Sequence, residues 1–127
     1  MTDLPIKVVL DATAVIAYAR GSVAVGEVIA EITDEDAAFA IPEISLIEGA
    51  RRLEVDQWSI LDLLISHSHC VRLELPANWR DAAFAAQLLD GTSRAVAMLA
   101  AVDTRAYLLT AEPEVFGGDD ALLVIGI

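Results

Sequence analysis

Short hydrophobic runs bounded by turn-forming residues predict five β-strands in this chain. These strands are Lys7–Leu10, Ala38–Ile41, Val71–Leu75, Tyr107–Thr110 and Leu122–Ile125. Between the runs, apolar residues recur every three or four positions, which is the period of an amphipathic helix. The helices predicted on this basis are Thr13–Arg20, Val23–Ile32, Glu43–Val55, Trp58–Ser66, Trp79–Leu89 and Ser93–Thr104.

Strands that alternate with helices are typical of an α/β fold, in which helices flank a mainly parallel central sheet. Pro42 and Pro76 mark strand exits, and no Ser/Gly-rich linker divides the chain. We therefore predict a single domain over residues 1–127. The last strand follows a short Gly-Gly-Asp-Asp turn at residues 117–120, which favours a position at the edge of the sheet.

A carboxylate directly follows the first strand, in the run VVLDATAVIAY. This strand is apolar at Val8, Val9 and Leu10, as expected of a strand buried on both faces, and Asp11 stands at its C-terminal end. Open α/β sheets bind ligands at the C-terminal ends of their strands. Asp is also a preferred N-cap of a helix. On this stretch alone, both a ligand-binding and a helix-capping role are open for Asp11.

A second carboxylate, Glu48, stands in an apolar stretch of the third predicted helix, IPEISLIEGARRL. The apolar residues of this helix, Ile44 and Ile47 among them, cover a broad face of it. Arg51 and Arg52 follow Glu48 by three and four positions, a spacing that allows helix ion pairs worth ~0.2–0.5 kcal/mol. From these residues alone, a solvated or ion-paired Glu48 is favoured over a functional one.

The charge of the chain changes the range of partners to expect. Its 20 acidic and 8 basic residues give a formal net charge of −12. Affinity for nucleic acid comes largely from neutralised phosphates, so this charge opposes any broad electrostatic contact with RNA or DNA. A nucleic acid would have to be bound through a local patch or a divalent cation, whereas a basic protein partner would suit the surface.

Hydrophobic residues make up 56% of the chain, which suits tightly packed helices or an additional apolar face for a partner. No apolar run approaches the ~20 residues of a membrane-spanning helix, so we expect no membrane association. The first residues, MTDLPIK, lack the features of a signal peptide, and Cys70 is the single cysteine. We therefore expect a cytoplasmic protein.

Three segments together resemble the PIN domain family, most closely its small toxin-type, VapC-like members. They are VVLDATAVIAY, IPEISLIEGARRL and AVAMLAAVDTRAYLLTAE. The resemblance implies a Rossmann-like sheet with an acidic pocket at the strand ends, which binds Mg²⁺ or Mn²⁺ and cleaves RNA. It also implies the toxin half of a toxin–antitoxin pair, a small antitoxin-like partner and a homodimer.

The same resemblance assigns roles to individual residues. Asp11 and Glu48 match the first and second acids of the family, which bind the metal, and Thr13 matches a small hydroxyl residue two positions after the first acid. Thr110 and Glu112 stand where the family often has a threonine and a final, more variable catalytic acid. Divalent ions held by such oxygen ligands activate water and neutralise charge on the phosphoryl oxygens.

One position departs from the family pattern. Its third acid falls on Arg94, or on Ser93 after a shift of one residue, and neither is a carboxylate. Asp90 would reach the pocket only if its loop folded inward. This departure supports an alternative function, in which a catalytically inactive PIN-like protein binds or regulates another protein.

Arg94 suggests what could replace a metal in such a pocket. Two carboxylates ~4 Å apart repel each other by roughly 1–4 kcal/mol, and a guanidinium can offset that repulsion as a divalent ion does. Our hypothesis is that Arg94 pairs with Asp11 or Glu48 and takes the place of the cation, so that no metal is needed. The alternative is that Arg94 points into solvent from the first turn of its helix.

Overall fold

The computed structural model describes residues 4–117 and 123–127. Within these residues, five strands form one parallel sheet in the order β3-β2-β1-β4-β5. The strands are β1 Ile6–Leu10, β2 Ala38–Pro42, β3 Cys70–Leu73, β4 Tyr107–Thr110 and β5 Val124–Gly126. The predicted α/β class and the edge position of the last strand are confirmed. The turn predicted at 117–120 and Leu122 of the last predicted strand fall largely on residues 118–122, outside the described residues.

In the described part of the chain, six α-helices lie between the strands, as predicted. They are α1 Ala12–Ala19, α2 Val23–Asp34, α3 Glu43–Arg51, α4 Trp58–Ile65, α5 Trp79–Leu89 and α6 Thr92–Thr104. The third helix was expected to reach Val55 but ends at Arg51. Glu54 and Gln57 form a reciprocal capping box that starts a separate 3₁₀ turn at Val55–Gln57, and this turn leads into α4.

Helices cover both faces of the sheet and create two apolar clusters. On one face, α1, α2 and α4 pack over residues such as Leu10, Phe39 and Leu109. On the other face, α6 covers Val9 and Leu108, and α5 packs mainly against α6. Because β1 has neighbours and helices on every side, its residues Val8, Val9 and Leu10 are fully buried, which confirms the strand predicted to be covered on both faces.

The order of the strands reverses at β1. From β1 the chain first adds β2 and β3 on one side and later adds β4 and β5 on the other. The C-terminal ends of β1 and β4 lie side by side, where the backbone N–H of Asp11 donates to the carbonyl of Leu109 at 3.2 Å. A crevice at such a switch point is the usual ligand site of an open α/β sheet.

No single helix within the described residues has the length and apolar character to cross a membrane. Only α1 and α2 taken together reach that length and composition, and a bend of 105° separates them.

Candidate functional site

The crevice at the ends of β1 and β4 opens into a cavity of about 510 Å³. Its charged lining comes from four acids and two arginines of the described residues. They are Asp11, Glu48, Asp90 and Glu112 with Arg52 and Arg94. The structure thus brings the three predicted catalytic acids to one pocket, although they come from three separate parts of the chain.

Asp11 is held at the N-terminus of α1 by hydrogen bonds within its own turn. Its carboxylate accepts from the backbone N–H of Ala14 at 3.0 Å and from the hydroxyl of Thr13 at 2.6 Å. The residue therefore caps α1, and it also lines the cavity, so the two roles left open by the sequence are compatible. Only 2% of Asp11 is exposed, and this burial is the main cause that raises its pKa above 3.8.

Two threonine hydroxyls connect the end of β1 to the end of β4. The Oγ1 atoms of Thr13 and Thr110 lie 3.2 Å apart. The Thr13 hydroxyl accepts from the backbone N–H of Ala111 at 2.8 Å, and the Thr110 hydroxyl accepts from that of Glu112 at 3.0 Å. Both predicted hydroxyl residues thus fix the local backbone that carries Glu112 towards Asp11.

Glu48 reaches the pocket because α3 packs closely on α1. The contact is made at Gly49, where an added Cβ would lie 2.9 Å from Cγ1 of Val15 and 3.3 Å from the carbonyl oxygen of Ala12. Only glycine permits so close an approach. Not all of the apolar face of α3 is buried, because Ile47 is 67% exposed.

The carboxylate of Glu48 is already paired within its own helix. Arg51 donates to it through Nη2 at 2.6 Å and through Nε at 3.2 Å. The hydrogen bond from Arg51 is the main cause that lowers the pKa of Glu48 below 4.5. The ion-paired interpretation of Glu48 is therefore confirmed, and its spacing of three residues is the one that the sequence indicated.

Arg94 pairs with a different acid from those predicted. Its Nε and Nη2 atoms each lie 3.1 Å from Oε2 of Glu112, 18 residues further along the chain. The hypothesis that Arg94 pairs with Asp11 or Glu48 is wrong, and so is the alternative of a solvated side chain. Both partners of the pair are about 70% buried, with side-chain exposures of 30% and 28%.

Two further residues line the cavity: Asp90, which the sequence placed there only if its loop folded inward, and Arg52, which the sequence did not assign to the pocket. Asp90 ends α5 in the left-handed conformation with a φ of 54°, which turns the following loop inward and places Asp90 on the cavity wall. Arg52 also lines the cavity, although the sequence offered it only as a possible partner of Glu48. Gly91 is a helix-ending signal in the sequence. Whether the loop at that point folds towards the cavity depends on how α5 packs on α6.

The acids of the pocket do not fit a divalent ion in this arrangement. In residues 4–117 and 123–127, no group of three or more His, Cys, Asp or Glu side chains is placed to hold one. Both oxygens of Glu48 accept from Arg51, and Oε2 of Glu112 accepts from Arg94. Oδ1 of Asp11 accepts from the Thr13 hydroxyl and from the backbone N–H of Ala14. Several of the carboxylate oxygens on which a Mg²⁺ or Mn²⁺ site would depend are thus engaged by protein donors.

The fold matches solved structures over nearly the whole chain. The structure of VapBC2 from Rickettsia felis bound to a DNA fragment from their promoter matches with a TM-score of 0.75, covering 96% of this chain and 99% of that chain at 15% identity. The chain has a PIN-type fold. PAE2754 from Pyrobaculum aerophilum matches with a TM-score of 0.63, covering 94% and 90% of the two chains at 18% identity.

At these identities the PIN-type likeness shows the fold and not the chemistry. The sequence itself matches no protein-family model and no curated protein. The catalytic and metal-binding roles given to Asp11, Glu48 and Glu112 therefore stay predictions, as do the pocket roles of Thr13, Arg94 and Thr110.

Proposed function

We propose that this chain is a toxin-type, VapC-like PIN protein of the endoribonuclease class, in which metal-dependent RNA cleavage is weak or lost and binding of a protein partner is the working activity. The observation that carries the proposal is the ion pair between Arg94 and Glu112. It puts a fixed guanidinium where the family resemblance expects an acid that binds metal.

The chemistry of phosphodiester hydrolysis explains why that exchange matters. The reaction needs an activated water as well as neutralisation of charge on the phosphoryl oxygens. A guanidinium supplies positive charge, but it has no open coordination position and stays protonated in proteins. The arginines of this pocket can therefore balance its carboxylates without generating a nucleophile.

The charge of the molecule supports a protein partner over an RNA substrate. A net charge of −12 repels a polyanion, and it attracts a basic protein such as a small antitoxin. The VapBC2 structure, whose fold this chain shares, contains a complex bound to promoter DNA. By analogy, we propose that this chain pairs with a basic, antitoxin-like protein, and that it forms a homodimer.

An RNA cleavage assay tests the loss of activity. The purified protein is incubated with labelled single-stranded RNA and either Mg²⁺ or Mn²⁺, next to the Asp11→Asn variant. We expect both proteins to leave the RNA intact, or the wild type to cleave it only slowly. Rapid metal-dependent cleavage that Asp11→Asn abolishes would show an active nuclease instead, a function favoured by the position of Asp11, Glu48 and Glu112 on one cavity.

The proposed partner is tested by co-expression. A small basic protein encoded beside this chain is tagged, co-expressed with it and purified at 300 mM salt, a concentration of about the order that screens surface charge. We expect the PIN-fold chain to be recovered with it in stoichiometric amount. Recovery only at low salt would indicate non-specific charge attraction and would contradict the proposal.

A further inference from the structure

Arg94 occupies a position where a positive charge is intrinsically unfavourable. It is the third residue of α6, and the backbone N–H groups at the start of a helix carry partial positive charge. An acid there would be stabilised by the helix, as in the family pattern. A cation at this point persists only if other groups of the fold hold it more strongly than the helix end repels it.

The structure supplies those groups from two other elements. Nη1 of Arg94 donates to the carbonyl of Leu89 at 3.0 Å and to that of Asp90 at 3.3 Å. These carbonyls belong to the C-terminal end of α5, where partial negative charge accumulates. With Nε and Nη2 on Glu112, every nitrogen of the guanidinium has a partner, so the group has one fixed orientation.

We infer that the Arg94 guanidinium is the permanent cation of this pocket, and that it excludes divalent metal by binding Glu112 and the end of α5. The inference rests on the proposed function and extends it, since it names the group that prevents metal binding in the pocket. Its physical basis is that one guanidinium both neutralises an acid that a metal would need and occupies the space at the start of α6.

The connection to Asp11 follows from the same geometry. Glu112 lies close enough to Asp11 for its negative charge to contribute to the raised pKa of the Asp11 carboxyl, although burial is the larger cause. Arg94 pairs with Glu112 and offsets part of that repulsion. Without Arg94, the acids lining the cavity would repel one another and would gain from any cation that could replace the guanidinium.

Substitution of Arg94 provides the test. Arg94→Asp and Arg94→Ser are compared with the wild type by calorimetric titration with Mn²⁺ and Mg²⁺, and by thermal unfolding over a range of metal concentrations. We expect the wild type to bind either metal weakly at most. Each variant should bind Mn²⁺ at least ~10-fold more tightly than the wild type, with Arg94→Asp the tighter, and its unfolding midpoint should rise by a few degrees with metal (about 2–6 °C).

Arg52→Asp is the matched control, because it makes the same charge change in the same cavity. Arg52 takes part in none of the ion pairs among the described residues. We expect this variant to stay insensitive to metal. An equal gain for Arg52→Asp would overturn the inference, because overall charge and not the placement of Arg94 would then control metal binding. If Arg94→Asp does not fold, Arg94→Ser alone decides.

The two proposals fail in different ways. If the wild type does not cleave RNA and the Arg94 variants bind no metal, the inference is overturned and the proposed function stands. A wild type that binds Mn²⁺ and cleaves RNA overturns the proposed function, and the inference with it.

Discussion

At the scale of single residues, the most unusual group is the buried carboxylate of Asp11. Hydrogen bonds from the hydroxyls of Thr110 and Thr13 favour its ionised form, but burial outweighs them and the net effect raises its pKa. Between pH ~3.8 and the higher folded-state pKa, the folded protein binds more protons than the unfolded chain does. The free energy of unfolding contributed by this group therefore falls as pH rises through that window.

Replacement of Asp11 by Asn should stabilise the protein at neutral pH. The Asn side chain keeps an oxygen for the N–H of Ala14 and removes the buried charge. We expect the unfolding midpoint of Asp11→Asn at pH 7 to exceed that of the wild type by roughly 2–6 °C, and the difference to shrink towards zero near pH 3.5. Thermal unfolding followed by circular dichroism from pH 3.5 to 7.5 measures this. A wild type that is the more stable protein at pH 7 would contradict it.

At the scale of secondary-structure elements, the site depends on the packing of α1 against α3. Gly49 allows the two helices to meet, and the next residue towards the N-terminus of α3 is Glu48. Val15, which faces Gly49, is fully buried, and its β-branched side chain is stiff at χ1. Two opposite effects thus act at this position, since alanine favours a helix by ~0.5–1 kcal/mol over glycine while overpacking costs about 1–3 kcal/mol.

We expect overpacking to win in Gly49→Ala. The variant should lose about 1–2 kcal/mol of stability in urea unfolding, because the new methyl group would lie under 3 Å from a fixed side chain. Gly26→Ala is the control within α2, since a Cβ added there meets nothing within 4 Å. That variant should gain ~0.5–1 kcal/mol from helix propensity alone. Equal effects of the two substitutions would rule out the close contact as the reason for Gly49.

At the scale of the whole molecule, an apolar surface and a large negative charge oppose each other. The exposed half of α5 carries Phe84 and Leu88, each more than 60% exposed, while the other half packs mainly on α6. Such a surface favours association with a second copy. Two copies of charge −12 repel each other, so the apolar contact must outweigh a repulsion that salt screens.

We predict a homodimer that forms through α5 and tightens with salt. In analytical ultracentrifugation, the dimer fraction should rise between 50 and 500 mM NaCl (Debye lengths from about 14 to 4 Å). The double substitution Phe84→Ser and Leu88→Ser should weaken the dimer at least ~10-fold. Leu63→Ser, on α4 at 72% exposure, serves as the control and should leave it unchanged. A wild type that stays monomeric at every salt concentration would contradict the predicted homodimer.

Sequence patterns predicted the fold well and the site in part. All five strands and six helices appear near their predicted positions. A buried strand shows apolar residues at every second position or in an unbroken run, and an amphipathic helix shows them with a period near 3.6 residues, so both can be recognised in the sequence. The predicted end of α3 was wrong, because it depends on a local capping box that starts a separate turn.

What the sequence determined by itself is the short-range part of this protein. Asp11 caps the helix that follows it, and Glu48 pairs with Arg51 one helical turn away, because such contacts depend only on neighbours along the chain. The tertiary structure decided the partner of Arg94 and the burial of Asp11. Both depend on the packing of elements far apart in sequence, where a change of a few ångströms selects a different partner for a charged side chain.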